Sequence, residues 1–268
     1  MLPCLRDVVK IPPLFGVVPI QPFGVLVGIG LVVGYLLARR RAKATGLDPD
    51  LCADGMVWTV VVGFVVAHWV SVVFYFPHRI AENPLVLLAF WSGLSSFGGF
   101  VGGLLGAYWY FARRRKVSLL EYADAIIFGL MPGWIFGRLG CTVVHDHPGR
   151  PTSFFMGVKC GALPEHDLGL YEMLYTIVLT GVLYALKGVR PFPGFHPGLM
   201  MLLYAPVRFA LDYLRVEDKT YLGFTPGQYS AVLMGAAGIA LMAYGRHVKN
   251  RPAKKEPART KPAKARGR

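Results

Sequence analysis

The sequence has few charged residues for its length, and this shortage disfavours a water-soluble domain. Asp, Glu, Lys and Arg make up only 16% of the 268 residues, whereas soluble domains carry about 25%. Hydrophobic residues account for 54%, and the mean hydropathy is +0.46. Because a helix needs about 20 consecutive apolar residues to cross a bilayer, this composition predicts an all-α integral membrane protein.

Cysteine is also scarce. The four cysteines, at positions 4, 52, 141 and 160, are too few for a disulfide framework in a chain of this length. Cys141 and Cys160 fall in one predicted loop, where an oxidising compartment allows a bridge, so a Cys141–Cys160 disulfide is one hypothesis. No segment has the cleavage pattern of a secretory signal, and we expect the first apolar segment to remain as a membrane anchor.

Acidic residues are about half as common as basic ones, and the imbalance is greatest at one end. The chain has 15 Asp and Glu against 29 Lys and Arg, which gives a net charge of +14. Ten of the basic residues lie in the last 23 positions, among Pro and Ala. This composition predicts a disordered tail at 246–268 after a membrane domain at 1–245. Each basic residue near a membrane is attracted to anionic head groups by about 1 kcal/mol, so we expect membrane lipids as partners and no nucleic acid.

Apolar runs predict about seven transmembrane helices. They cover approximately 20–38, 57–76, 94–112, 121–137, 168–187, 197–214 and 226–245. Basic clusters follow the first, third, fifth and seventh runs, and cytoplasmic loops carry the excess of Lys and Arg. All four clusters lie on the same side if the N-terminus is outside. The pattern therefore predicts a multi-pass protein with a cytoplasmic C-terminus.

Two arginines interrupt the apolar sequence on the predicted outer side. Arg138 lies at the outer end of the fourth predicted helix, and Arg208 falls within the sixth. An arginine at bilayer depth is costly and is by default a functional-site hypothesis. The alternative, in which the side chain extends to the lipid head groups, suits Arg208 poorly because of its depth.

The segment GRLGCTVVHDHPGRPT (137–152) concentrates groups that can bind or react. Cys141, His145 and His147 are all possible zinc ligands. On a helix, however, residues 141 and 145 share a face while 145 and 147 do not, and Pro148 indicates a turn. Since no other segment has the spacing of metal ligands, we expect no metal and no cofactor.

A phosphate-binding interpretation accounts for more of this segment. Arg138, Arg150 and Arg208 all face the predicted outer leaflet, and arginine recognises phosphate oxygens through two parallel N–H donors. A transfer to a thiol or an alcohol also requires a base. The candidates for that base are His145, Asp146 and His147. Their alternative interpretation is a solvated loop without a chemical role.

Several motifs together resemble those of the prolipoprotein diacylglyceryl transferase family. The signature loop of the family is similar to GRLG followed by GRPT in this chain. Its glycine-rich third span is similar to GLSSFGGFVGGLLGAYWYFARRRK (93–116). HDLGLYE (166–172) is similar to its HPSQLYE segment, and YAPVRFALDYLRVED (204–218) to its Tyr/Arg/acidic/Arg segment. LGFTPGQYSA (222–231) resembles the start of its last span. The resemblance covers almost the whole chain outside the tail.

The resemblance implies a seven-span enzyme of the bacterial inner membrane, with an active site open to the outer leaflet. Such an enzyme transfers a diacylglyceryl group from phosphatidylglycerol to the lipobox cysteine of a prolipoprotein, forming a thioether and releasing glycerol phosphate. Arg138 and Arg208 match family arginines and are expected to stabilise the phosphate. The residues of this chain, rather than the resemblance, suggest that His145 or His147 would activate the thiol. The expected substrate-binding residues are Gly98, Gly99, Gly140, Gly149, Arg150, Tyr204 and Asp212.

Three positions depart from the family pattern. Phe97 stands where the family's HGG motif has histidine, and Cys141 stands where its GRxGN motif has asparagine. Phe23 stands where the family's first span has tyrosine. Because phenylalanine cannot accept a proton, the usual base is absent. A second hypothesis is therefore a catalytically impaired paralogue that binds anionic phospholipid or lipoprotein without transfer. A third, a small transporter, fits less well because the charged positions gather at one membrane face.

Overall fold

The structure, a computed structural model, describes residues 1–8, 21–90, 93–216 and 220–249. Most of these residues are helical, as predicted. The helices are α1 (Leu5–Val8), α2 (Pro22–Ala44), α3 (Pro49–Val70), α4 (His78–Glu82), α5 (Ser96–Ala107), α6 (Leu119–Val144), α7 (Leu168–Ala185), α8 (Phe195–Leu211) and α9 (Pro226–Lys249). π-helical turns extend α3 through Ser71–Tyr75 and α5 through Tyr108–Arg114, and 3₁₀ turns lie at Pro84–Leu88 and Asp212–Leu214. Helix α9 continues past the predicted domain boundary at residue 245, and the rest of the predicted tail lies outside the described residues.

Side-chain caps determine where several helices begin. Asp48 accepts two backbone hydrogen bonds at the start of α3, where Pro49 has no N–H to leave unpaired. Ser118 accepts a hydrogen bond from the N–H of Glu121 at the start of α6, which is the spacing of a capping box. Asp167 caps α7 in the same way. These caps fix the first turn of each helix and hence the direction in which later side chains point.

A helix occupies most of each predicted apolar run. Among the described residues, four helical segments are long and apolar enough to cross a membrane, namely Pro22–Ala44, Pro49–Tyr75, Leu119–Val144 and Leu168–Ala185. Helix α6 has 26 residues, which corresponds to about 39 Å at 1.5 Å per residue, against about 30 Å for the hydrocarbon core. The chain is therefore a mostly helical, membrane-bound protein.

Small residues allow α2 and α6 to pack backbone against backbone. The buried residues of α2 follow each other at four-residue intervals: Gly30, Gly34, Ala38 and Ala42. A β-carbon added to Gly30 would lie only 2.6 Å from the backbone oxygen of Gly133 in α6. This close contact holds α6, which carries Arg138 near its C-terminal end.

A second stripe of small residues joins α5 to α3. Gly98, Gly102 and Gly106 also repeat every four residues, and a β-carbon on each would lie 2.6–2.9 Å from a valine β-carbon of α3. These valines are Val70, Val66 and Val62. Since the glycines face α3 at this spacing, they permit the close approach that small residues give to membrane helices.

The all-α prediction is incomplete, because the chain also forms a small sheet. The strands are β1 (Leu2–Pro3), β2 (Pro148–Pro151), β3 (Val158–Lys159) and β4 (Glu165–Asp167), in the order β1-β3-β4-β2. Strand β1 runs parallel to β3, and the other pairs are antiparallel. Strands of two to four residues are too short to produce an alternating hydrophobic pattern, so the sequence does not reveal them.

The predicted Cys141–Cys160 disulfide is wrong. Cys160 is bonded to Cys4 instead, because the pairing of β1 with β3 brings the N-terminus beside residue 160. Cys141 lies near the end of α6 and is a buried free thiol, as is Cys52. The bond therefore ties the N-terminus to the loop between α6 and α7.

We expect peptide mapping without reduction to recover a Cys4–Cys160 link, with Cys52 and Cys141 alkylated as free thiols after unfolding. A Cys4→Ser variant should then yield Cys160 as a free thiol or as an intermolecular dimer. A Cys141→Ser variant is the control and should leave the link unchanged. A peptide that joins Cys141 to Cys160 would contradict the structure.

We expect Gly102→Leu to destabilise the protein, because the larger side chain collides with Val66 and the backbone of α3. Overpacking of this kind costs about 1–3 kcal/mol and should lower the midpoint of thermal unfolding in detergent. Gly28→Leu is the matched control, since a β-carbon on Gly28 of α2 meets nothing within 4 Å. Equal midpoints for the two variants would refute this packing.

Candidate functional site

Glu172 is at the centre of the charged network. It lies on α7 and is 2% exposed, and its Oε2 accepts a 2.9 Å hydrogen bond from the hydroxyl of Tyr204. Arg138 of α6 approaches the same oxygen at 2.6 Å, and Arg208 of α8 approaches Oε1 at 3.3 Å. One carboxylate thus connects three helices and holds two guanidinium groups.

Asp212 extends the network towards the start of α9. Arg208 Nη1 lies 2.6 Å from its Oδ1, and Arg215 Nε lies 3.2 Å from the same oxygen. The hydroxyl of Thr225 donates to Oδ2. Gln228 in turn accepts a 3.0 Å hydrogen bond from the backbone N–H of Thr225. The polar start of α9 is therefore fixed to the Asp212 carboxylate, which also pairs with Arg208 and Arg215.

The carboxylates of this network are sealed inside the protein, while the guanidinium groups reach its surface. The side chains of Glu172 and Asp212 are 2% and 0% exposed, whereas those of Arg138, Arg208 and Arg215 are 16%, 15% and 20% exposed. Arg138 and Arg208 therefore each lie with one side against a buried carboxylate and keep another edge exposed. Since arginine pairs well with phosphate oxygens, the exposed edges are suited to one further anion.

His145 holds the end of α6 to the start of α7. It adopts a left-handed conformation with φ of +50°, and its Nδ1 lies 2.8 Å from Oδ2 of Asp167. Its Nε2 lies 3.9 Å from Glu165, and the residue is only 7% exposed. Because Asp167 also caps α7, these contacts give His145 a positioning role.

Cys141, Asp146 and His147 come together beside the arginines. One ligand atom from each lies within 4.8 Å of the others, and His147 Nδ1 is hydrogen-bonded to Asp146 Oδ1. Burial acts to raise the pKa of Asp146, but the hydrogen bond and the charge of His147 outweigh burial, and the pKa lies below its usual value. The Cys141 thiol interacts with both Arg138 and Asp146. The loop cluster and the arginine network are therefore contiguous.

Two predicted glycines permit close approach at this site. A β-carbon on Gly140 would lie 2.9 Å from the ring of Phe23, and one on Gly149 would lie 2.9 Å from the backbone oxygen of Leu214. Gly149 also forms an isolated β-bridge with Arg215. The glycine of the loop thus lets the segment that carries Arg215 reach the sheet.

The remaining predicted residues have other surroundings. Gly98 packs against α3, and Gly99 makes ordinary contact with Ala67 of the same helix. Arg150 is exposed on β2. Phe97 is 58% exposed on α5, so the position of the usual histidine is an apolar surface residue.

The sequence interpretation missed four members of the network: Glu172, Arg215, Thr225 and Gln228. Glu172 had a usable signal, since an acidic residue within an apolar helix is a functional-site hypothesis by default. It is also the last residue of the motif HDLGLYE. Thr225 and Gln228 fall within the motif LGFTPGQYSA, but a polar residue at a helix start is common, so their residue types alone do not indicate a role.

Comparison with known proteins agrees with the motifs. The family described as Prolipoprotein diacylglyceryl transferase matches residues 11–244. A phosphatidylglycerol–prolipoprotein diacylglyceryl transferase of Chromohalobacter salexigens is 34% identical over 235 residues, which cover 84% of this chain and 87% of that protein. A protein of the same name from Chlorobaculum tepidum is 30% identical, over 88% of this chain and 90% of that protein. Another from Frankia alni is also 30% identical, over 91% of this chain and 67% of that protein. The chain therefore belongs to the prolipoprotein diacylglyceryl transferase family.

Proposed function

We propose that this chain transfers a diacylglyceryl group from phosphatidylglycerol to the lipobox cysteine of a prolipoprotein. Family membership and the names of its relatives support the reaction, and the arginine network supports the lipid substrate. The proposal includes a multi-pass arrangement of seven spans in the bacterial inner membrane, with the N-terminus outside and the C-terminus cytoplasmic. The basic residues in the last turns of α2, and those that follow α5 and α7, support this orientation, because positive charge favours the cytoplasmic side.

The observation that carries the proposal is a pair of partly exposed arginines, Arg138 and Arg208, held in place by the buried carboxylate of Glu172. Phosphatidylglycerol brings one negative charge on its phosphodiester, and the departing glycerol phosphate gains a second as the C–O bond breaks. Arg138, Arg208 and Arg215 present their exposed edges while Glu172 and Asp212 hold them from behind. Cations that are already fixed stabilise the developing charge without having to reorganise, which is often a large part of catalysis.

The second requirement is a group that removes the proton of the acceptor thiol. Phe97 has no lone pair, and His145 is buried against Asp167. Asp146 and His147 are hydrogen-bonded to each other and partly exposed, at 40% and 26%. We therefore propose that the thiol of the acceptor cysteine binds at the Asp146–His147 end of the site, beside Cys141, rather than next to α5.

The alternative is an impaired paralogue that binds phospholipid without transfer, and the exposed Phe97 favours it. An assay with labelled phosphatidylglycerol and a lipobox peptide separates the two. Labelled thioether on the peptide supports transfer. Saturable binding of phosphatidylglycerol without product supports the paralogue and rejects the enzyme.

We expect Arg208→Ala to lower kcat/KM by about 10²–10³-fold, the loss typical of a removed electrostatic contact in a transition state. Arg208→Lys keeps the charge but loses the planar fork, and it should recover only part of the rate. Arg79→Ala is the control, because Arg79 is an exposed arginine of α4. Wild-type kcat/KM in Arg208→Ala would reject the proposed role of the network.

We expect His147→Ala to reduce kcat by about 10²-fold, the lower range for loss of acid–base assistance. If proton removal is the step that is lost, Phe97→His in the same protein should restore part of kcat, since it returns a base to α5. His78→Ala removes an exposed histidine of α4 and should not change kcat. Full activity of His147→Ala would place the chemistry elsewhere.

A further inference from the structure

Three chemically different ligand groups converge at the end of α6. Cys141 Sγ, an Asp146 carboxylate oxygen and a nitrogen of the His147 ring all lie within 4.8 Å of one another. The proposed transfer assigns no role to the Cys141 thiol, which stands where the related signature has asparagine. Helical spacing would place His145 beside Cys141, but the structure brings Asp146 there instead.

The backbone holds these three groups in place independently of any side-chain contact among them. The N–H of Asp146 points to the carbonyl of Cys141 at 3.4 Å, so the chain turns back over the last turn of the helix. The left-handed conformation of His145 produces this turn, and Asp167 locks it through Nδ1 of His145. The carbonyl of His147 accepts a 3.2 Å hydrogen bond from Leu168. The cluster is therefore attached on both sides to the ends of helices.

The donor set matches the ligands that zinc prefers. Zinc binds thiolate at about 2.3 Å and imidazole or carboxylate at about 2.0–2.2 Å, so neighbouring ligand atoms of a tetrahedral site lie about 3.3–3.8 Å apart. A separation within 4.8 Å requires only small side-chain adjustments. A thiolate favours zinc over magnesium or calcium, which take oxygen ligands.

Charge balance also permits a divalent cation beside Arg138. A Cys141 thiolate and an Asp146 carboxylate together neutralise the two charges of the ion, and the imidazole of His147 adds none. The guanidinium that interacts with the thiol would therefore face a neutral unit. Arg138 keeps Glu172 as its carboxylate partner, with Nη2 of Arg138 2.6 Å from Oε2 of Glu172.

We propose that Cys141, Asp146 and His147 bind one zinc ion and leave a fourth coordination position open. Cys141 is buried at 6% exposure, while the side chains of Asp146 and His147 are 40% and 26% exposed. The inner side of the ion is thus closed by protein and the outer side is accessible. Three protein ligands with one open position are the arrangement of catalytic zinc sites.

The open position binds the thiol of the acceptor cysteine, a step that rests on the proposed function. Coordination deprotonates the thiol. Asp146 and His147 then act on the thiol through the ion rather than as direct proton acceptors, and the proton passes to water at the exposed side. The thiolate attacks the glyceryl carbon that bears the phosphate ester, so that an S–C bond forms as the C–O bond breaks. The electron pair of the C–O bond leaves on glycerol phosphate, which changes from one negative charge to two beside Arg138. No oxidant or reductant is needed.

The test is metal binding by the full chain, purified without a histidine tag, stripped with a chelator and reconstituted with zinc. We expect about one zinc ion per chain by atomic emission spectrometry, the stoichiometry of a single three-ligand site. The zinc ion should be lost in the variants Cys141→Ser and His147→Ala. It should be retained in two control variants, Cys52→Ser at a remote free cysteine and His78→Ala at an exposed histidine. Elution as a monodisperse peak checks that each variant is folded. Zinc at the wild-type level in folded Cys141→Ser, or none in the wild type, overturns the proposal.

Cobalt substitution identifies the ligands without any activity measurement. Cobalt bound to the wild type should show the thiolate-to-metal charge-transfer band, and Cys141→His should keep the ion but lose the band. A band that persists in Cys141→His overturns the assignment of the ligand.

Transfer assays then separate this inference from the proposed function. Zinc-dependent transfer supports both proposals. Zinc binding without transfer supports the site but rejects the proposed reaction. Full transfer in metal-free protein leaves the reaction intact and overturns the role of zinc in it.

Discussion

The shared carboxylate of Glu172 is the interaction on which the rest of the site depends. Arg138 and Arg208 come from different helices and carry like charges, so they can stay close only if an anion lies between them. Glu172 is almost completely buried, and its two oxygens receive one arginine each. Removal of one partner from a buried ion pair costs about 3–5 kcal/mol. The same contact that forms the proposed anion site therefore also joins α6, α7 and α8.

Helix α6 brings the two ends of the site together. Arg138 and Cys141 are three residues apart, which places them on neighbouring positions of one helix face. The proposed phosphate-binding end and the proposed thiol-binding end are thus separated by less than one turn of a single rigid element. Such a scaffold can hold a phosphate ester and an attacking sulfur in one geometry, which removes much of the entropic barrier of a two-substrate reaction.

The sequence predicts the helical runs and the two main arginines because their signals are local. Seven apolar stretches are visible by composition alone, and an arginine among apolar residues is conspicuous. The sheet and the partner of Cys160 are not predictable in this way. They depend on the pairing of β1 with β3, which lie far apart in the chain, and both strands are too short to show a pattern. The number of membrane crossings and the orientation of the termini stay predictions.

The loop after α6 shows why the details of the site escape a reading of the sequence. Helical spacing puts residues 141 and 145 on one face, which pairs Cys141 with His145. The helix ends at His145 in a left-handed conformation, uncommon for a residue other than glycine, and this single backbone change turns Asp146 and His147 towards Cys141. His145 is turned towards Asp167 instead.

The link between Cys4 and Cys160 also sets an order of assembly. The two cysteines are 156 residues apart, so more than half of the chain must be made before the first strand can find its partner. Because β3 and β4 lie in the loop between α6 and α7, β1 can pair with β3 only after α2 to α6 have been synthesised. Completion of the sheet is thus a late event in synthesis, and the Cys4–Cys160 bond forms only under oxidising conditions.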